Sequence, residues 1–250
     1  MDWTRFEVVV KVPFTPTSEM EIQMPYDIKD MKARYELPDG TEFDNPEGDR
    51  HHRTERLEGV ADFKLFFTWL VGDWRLSGGV NLPVGDTVED PYALGDLGLN
   101  HQHIQFGTGT LDPLARVYYL LHLSDTINVS FGVGAQVPLM ENRHGYHAPP
   151  MVDVTVGPRI AVTDWMTLSA SYSFLYQGRA YWSGEPDPNT GYTLHGVQVA
   201  LPMHTDSGFF IIPSVYRALN VDVRDDADTF ELDWIATLSV EVPLGGELPH

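Results

Sequence analysis

The sequence predicts an all-β protein: a single antiparallel up-and-down transmembrane β-barrel over residues 1–250, of about twelve strands with ten as the alternative. Three observations carry this prediction. Apolar and polar residues alternate with period two over stretches of about a dozen residues, longer than an ordinary globular strand and suited to a tilted bilayer-spanning one. Short Asp-containing turns alternate with long polar loops, the asymmetry of outer-membrane barrels. Aromatic residues stand near strand ends (Trp69, Trp74, Trp165, Tyr176 and Trp234), where interfacial girdles sit.

The first strand reads Phe6, Val8, Val10, Val12 and Phe14 on one face, and Thr15-Pro16-Thr17-Ser18 turns the chain. Met20, Ile22, Met24, Tyr26 and Ile28 then oppose Glu21, Gln23, Asp27 and Lys29. A polar loop from about Leu37 to Glu55 follows. Ala61 to Val71 and Trp74 to Leu82 make a hairpin around Gly72-Asp73. Residues 83–113, rich in Gly, Asp and Pro, read as a long loop with room for a short strand at Gln102–Phe106.

Ala115–Leu123 and Ile127–Val137 flank a Ser124-Asp125 turn. Val152–Val162 and Met166–Tyr176 flank Thr163-Asp164, with loops at Glu141–Pro150 and Gly178–Gly191. Two less regular strands lie near Thr193–Leu201 and Phe209–Leu219. The acidic stretch Asp222–Asp228 leads to Phe230–Val242, whose even positions are apolar and whose odd positions, Ile235 apart, are polar. The clear strands number about eleven, whereas bacterial single-chain barrels use an even number. Merging the first two gives ten; the Gln102–Phe106 strand, or one more at the N-terminus, gives twelve. Adding Gln102–Phe106 would, however, put the Ser124-Asp125 turn on the long-loop side.

Composition narrows the function. A formal charge of −20 excludes a nucleic-acid partner, which needs a basic stripe. The chain has no cysteine, so thiolate zinc sites, disulfides and a cysteine nucleophile are excluded. No apolar run approaches the roughly 18 residues of a transmembrane helix, which leaves a barrel open. The opening Met-Asp-Trp-Thr-Arg lacks a basic n-region and an apolar h-region, so the expectation for an outer-membrane protein is that its signal peptide has been removed. A soluble β-sandwich or closed barrel is the competing fold, with an equally alternating core. Serine and threonine opposite large apolar residues, and few lysines among them, favour a solvated lumen.

Four fragments together resemble a known family. They are Met24-Pro25-Tyr26-Asp27, Gly59-Val60-Ala61-Asp62-Phe63, Asn81-Leu82-Pro83-Val84-Gly85-Asp86 and Phe106-Gly107-Thr108-Gly109-Thr110-Leu111-Asp112-Pro113. The set is similar to the outer-membrane transporter family named for the MetA pathway of phenol degradation. That family looks like Gly-Leu-Gly-Asp-Leu, Leu-Pro-Thr-Gly and Gly-Thr-Gly-Ser-x-Asp-Pro in this order. The resemblance covers most of the chain after the first strand. Ala61 replaces the second glycine of the first motif and Val84 the threonine of the second; the C-terminal Gly-Glu-Leu-Pro-His lacks a terminal aromatic residue. The resemblance implies a bacterial outer-membrane barrel that passes small, often hydrophobic, molecules, and it supplies no substrate.

Strand parity names the lumen-facing candidates: Glu231, Asp233, Glu241, Asp153, Arg159, Asn128, Gln136 and Arg75. A predominantly acidic lumen would favour cations. Gly107, Gly109, Asp112 and Pro113 could build a constriction or a wall bend, or simply shape a turn. His101 and His103, two apart, would share a strand face as metal ligands, but no third ligand converges by spacing. No cofactor is expected. Asp222, Asp225, Asp226 and Asp228 could bridge lipopolysaccharide through cations, though a solvated acidic loop explains them as well.

Three functions follow in order of preference. The first is a passive channel or transporter for small, hydrophobic or aromatic molecules, with outer-membrane lipid and lipopolysaccharide around it. The second is a scaffold barrel docking a periplasmic or surface protein, such as a redox protein. The third is an enzyme, which needs a meeting serine and histidine (His122 or His195); no Gly-x-Ser-x-Gly elbow is present.

Overall fold

The computed structural model describes residues 2–43, 53–205, 208–224 and 232–241. Long strands dominate it. In chain order they are β1 (Asp2–Thr15), β2 (Ser18–Met31), β3 (Glu55–Val60), β4 (Phe63–Val71), β5 (Trp74–Leu82), β6 (Asp112–His122), β7 (Ile127–Gln136), β9 (Met151–Thr163), β10 (Met166–Gln177), β13 (Tyr192–Ala200), β15 (Phe210–Val223) and β16 (Trp234–Glu241). Two-residue strands occupy the connections: β8 (Tyr146–His147), β11 (Tyr181–Trp182), β12 (Glu185–Pro186) and β14 (Met203–His204). The one helix among the described residues, α1 (Pro91–Asp96), starts at Asp90, whose carboxylate accepts the Tyr92 and Ala93 N–H groups, with Pro91 at its first position.

Each long strand pairs antiparallel with its neighbours in chain order, from β1 to β16, as an up-and-down barrel requires. β2 runs opposite β4 over Ser18–Gln23 and opposite β3 over Tyr26–Met31, so β3 and β4 are one wall strand broken at Ala61-Asp62. On that count the described residues form eleven wall strands, between the ten and twelve that the sequence allows. β1 and β16 both run from the long-loop end to the short-turn end. Lys11 Nζ of β1 lies 3.4 Å from Glu241 of β16, so the sheet curls until its two edge strands face each other.

The segment Gln102–Phe106 forms no strand. It is held by loop contacts instead, as Phe106 N–H donates to Asp86 C=O at 2.9 Å. The short strand that would have made twelve therefore does not exist. Of the closing stretch Phe230–Val242, Glu241 and the rest of β16 keep the expected parity, while Phe230, Glu231 and Val242 lie outside the described residues.

Burial is inverted relative to a soluble protein. Trp3, Phe6, Val8, Phe14, Val71, Val133, Trp234, Leu238 and Val240 are exposed, Leu238 by 68%. The buried side chains include Glu21, Asp27, Asp62, Thr68, Asn81, Asp112 and Gln136. Soluble monomers rarely present contiguous apolar patches beyond a few hundred Å². Here the apolar face belongs to strand after strand, as a bilayer demands. That settles the choice against a soluble sandwich, whose apolar face would be filled by a second sheet. No helix among the described residues is long and apolar enough to cross a membrane.

Candidate channel lumen

The lumen is built from the side of each strand that carries the smaller or polar residue. Its most ordered part lies where loop 83–111 folds back against the inner wall. Asp62, at the break between β3 and β4, organises it. Its Oδ2 accepts from Asn81 Nδ2 at 2.7 Å, Thr108 N–H at 2.7 Å and the Thr108 hydroxyl at 3.0 Å; its Oδ1 accepts from Gly85 N–H at 3.0 Å. Asp112, fully buried, accepts from the Thr110 hydroxyl at 2.6 Å, Gln136 Nε2 at 3.0 Å and Asn81 Nδ2 at 3.4 Å. A buried carboxylate is tolerated because every approach to it is a hydrogen-bond donor.

The glycines are steric requirements of this arrangement. A Cβ at Gly107 would run into the Asp62 carboxylate. Gly109 sits at φ +73°, and a Cβ there would meet Asn142 Cβ at 2.9 Å. The structure thus brings Gly107, Gly109 and Asp112 together on the inner wall. Pro113 is already in β6, opposite Val80 of β5.

The four resembling fragments converge here. Pro25 C=O accepts from Ala61 N–H at 3.0 Å, and Asp27 takes a two-pronged bond from Arg5 at 2.7 and 2.9 Å. Asp62 and Asn81 were not among the parity candidates, although both stand in those fragments.

From this cluster Phe106 packs against the inner wall, its ring over Gly59 of β3 and Lys29 Nζ 4.6 Å from its ring centroid. A cavity of about 250 Å³ follows, lined by Arg5, Gln23, Lys64, Gln105 and Phe106 among others. A second, of about 270 Å³, lies beyond it and shares Gln23. Arg116 crosses this second space: its guanidinium sits 3.7 Å above the Phe66 ring and reaches Glu21 and Gln23 at 3.4 Å each. Lys11 Nζ stands 3.9 Å from Glu21, and Arg75 pairs with Glu19. The narrow section is therefore of mixed sign. The wall is not predominantly acidic, because Lys11 of β1, Lys64 of β4 and Arg116 of β6 line these cavities beside the carboxylates.

The other parity candidates divide. Gln136 belongs to the Asp112 cluster and Arg75 to the narrow section. Asp153 on β9 lies directly across from Gly134, where any Cβ would meet its carboxylate. Asn128 and Arg159 are register partners on β7 and β9, and Asn128 Oδ1 is buried without a hydrogen bond among the described residues. Glu241 pairs with Lys11. Asp233 is a correction: it precedes β16 and contacts Arg217, whose guanidinium lies 4.8 Å from the outward-facing Trp234 ring. Glu231 lies outside the described residues.

His101 and His103 are also corrected. They sit in a loop rather than on a strand face, their rings edge to face at 5.3 Å. No group of three or more His, Cys, Asp or Glu able to hold a metal occurs among the described residues. His122 Nε2 lies 3.5 Å from Asp73, and His195 Nδ1 lies 2.5 Å from the Tyr172 hydroxyl, so neither of these contacts is with a serine.

Three long loops pack together over the barrel end. Trp182, buried, donates Nε1–H to Asp187 at 3.2 Å, and the Tyr92 hydroxyl of α1 donates to the same carboxylate at 2.8 Å. Tyr146 packs on Trp182 at 4.7 Å. Burial first, and then the Asp187 charge, push its phenol up to about 12, against an opposing hydrogen bond from Gln105. The folded state therefore holds this proton more tightly than the unfolded chain. Its contribution is complete below the ordinary tyrosine value of about 10 and is lost as pH rises through about 12. Tyr146→Phe should remove the last-titrating tyrosinate absorbance in a spectrophotometric titration. A difference spectrum centred near pH 10 instead would contradict the burial.

No protein-family model matches the sequence, and no curated protein does. Among solved structures the chain is similar to an outer membrane channel from Pseudomonas putida F1, with a TM-score of 0.60 at 10% identity. The match covers 95% of this chain and 80% of that one. The fold is that of an outer-membrane β-barrel.

Proposed function

We propose that the protein is an outer-membrane channel through which small molecules pass passively. The observation that carries this is the inside-out barrel, whose polar inner wall holds two adjoining cavities of about 250 and 270 Å³. Lipid and lipopolysaccharide would cover the exposed apolar belt. The mixed narrow section favours weak ion selectivity there. Any cation preference would arise at the long-loop entrance, where loop 83–111 carries Asp86, Glu89, Asp90 and Asp96 and no Lys or Arg. Phe106, in the wall of the first cavity, suits solutes with an aromatic or apolar part.

A scaffold barrel that docks another protein and carries no flux is the second reading. It is favoured by the same loop, which fills part of the lumen. Single-channel recording in planar bilayers separates them, with a heat-modifiable gel shift as folding control. Stable conductance steps are expected; a folded, inserted and silent barrel would replace the channel by the scaffold.

A further inference from the structure

We propose that Lys64 is the head of a binding site in the lumen for a small carboxylate with an apolar body. The inference rests on the channel reading for its place on a permeation path. Lys64 is on β4, between Gln23 of β2 and Asn81 of β5 in the sheet register. It points into the upper cavity of about 250 Å³ and makes no hydrogen bond or ion pair with any described residue.

Its neighbours are already engaged. Arg5 is bound by both oxygens of Asp27, and Arg116 is shared between Glu21 and Gln23. The charges that act on Lys64 are first Arg116 and Arg5, which repel it, and then more weakly Glu7 and Asp153, which attract it. A half-buried ammonium without a hydrogen bond or ion pair to any described residue is a position that an anion would relieve. Charge-assisted bonds to a carboxylate are about twice as strong as neutral ones, and a cavity wall screens them less than water does.

The remainder of the cavity says what the anion carries. Phe106, Pro25, Ala61 and Met151 supply apolar wall, Gln105 an amide, and Glu7 and Asp62 carboxylates, of which Asp62 is taken up by its four hydrogen bonds. The volume falls just under the roughly 300 Å³ at which pockets hold drug-sized ligands, which limits the guest to a small molecule. Lys64 beside apolar surface favours a monoanion with a hydrophobic part over a neutral sugar, with the guest carboxylate at Lys64 and away from Glu7. Phosphate would need more donors than Lys64 alone supplies.

The test uses benzoate as the probe, with benzamide as its uncharged counterpart, titrated calorimetrically into the refolded full-length barrel in detergent. Benzoate should bind at least about tenfold more tightly than benzamide. Lys64→Gln should weaken benzoate by about tenfold or more, the loss of one charge-assisted bond, while Lys64→Arg retains it. Equal binding of benzoate and benzamide to the wild type, or no binding of either, overturns the site, and this comparison decides even if Lys64→Gln does not fold. Equal affinity in a folded Lys64→Gln barrel also overturns it. Because binding is read without current, a silent barrel that binds benzoate through Lys64 removes only the channel, and a conducting barrel indifferent to benzoate removes only the site.

Discussion

Asp62→Ala should release loop 83–111 from the barrel wall, with a larger effect on stability than truncating Gln136, which donates to Asp112, would have. The carboxylate accepts four hydrogen bonds, from Asn81, Gly85 and, twice, Thr108. Three of those donors, the Gly85 N–H and both groups of Thr108, are on the loop and are left without the deleted acceptor. Hydrogen bonds to charged groups contribute about 1.5–3 kcal/mol each, and donors left buried without partners add their own desolvation cost. Relaxation and water entry recover part of this, so a net loss of about 3–5 kcal/mol is expected. The temperature at which the folded gel band disappears should fall, and a protease should nick the freed loop. Conductance steps should grow, because Phe106 moves with the loop. Asp62→Asn tests the charge separately: it keeps one acceptor oxygen but turns an amide NH₂ toward existing donors, so an intermediate loss is expected. Wild-type melting and conductance in Asp62→Ala would show that the loop is held by something other than this carboxylate.

The barrel was legible because its signal is geometric. A period-two pattern survives wherever one strand face meets lipid and the other meets water, and β4 to β10 carry it with few interruptions. The lumen was less legible for two physical reasons. A side chain's face follows from parity, but its partner depends on barrel curl, which brings Lys11 of β1 to Glu241 of β16, 230 positions away. Asp233 shows the second reason: parity fails outside the regular strand, and there the carboxylate followed Arg217 to the outer face. The buried polar cluster could have been found from the four resembling fragments. Asp62 and Asn81 stand in them beside small or turn-forming residues, and an Asp or Asn that must satisfy a loop's N–H groups calls for that company. The two histidines do not share a strand face, because Gln102–Phe106 is held by loop contacts instead of strand pairing.

Glu21→Gln should convert the narrow section from mixed to basic. Glu21 is the carboxylate between Arg116 at 3.4 Å and Lys11 at 3.9 Å, and it is almost completely buried. Replacing it by an amide of the same shape leaves both cations in place with one fewer counter-charge. A unit charge at about 4 Å amounts to ~1 kcal/mol in water and ~4 kcal/mol at a protein surface. A partly hydrated lumen lies near the lower limit, so the cation-to-anion permeability ratio should fall by about fivefold. The shift should be seen in reversal potentials at 0.1 M salt. It should shrink at 1 M, where the screening length drops to about 3 Å. Arg116→Gln should move the ratio the opposite way, and the double substitution should return it close to wild type, because the pair is removed together. A Glu21→Gln reversal potential equal to that of the wild type at low salt would mean that permeating ions never pass this pair. The path would then have to avoid the space that Arg116 crosses, and the second cavity would be a pocket in the wall and not part of the pore.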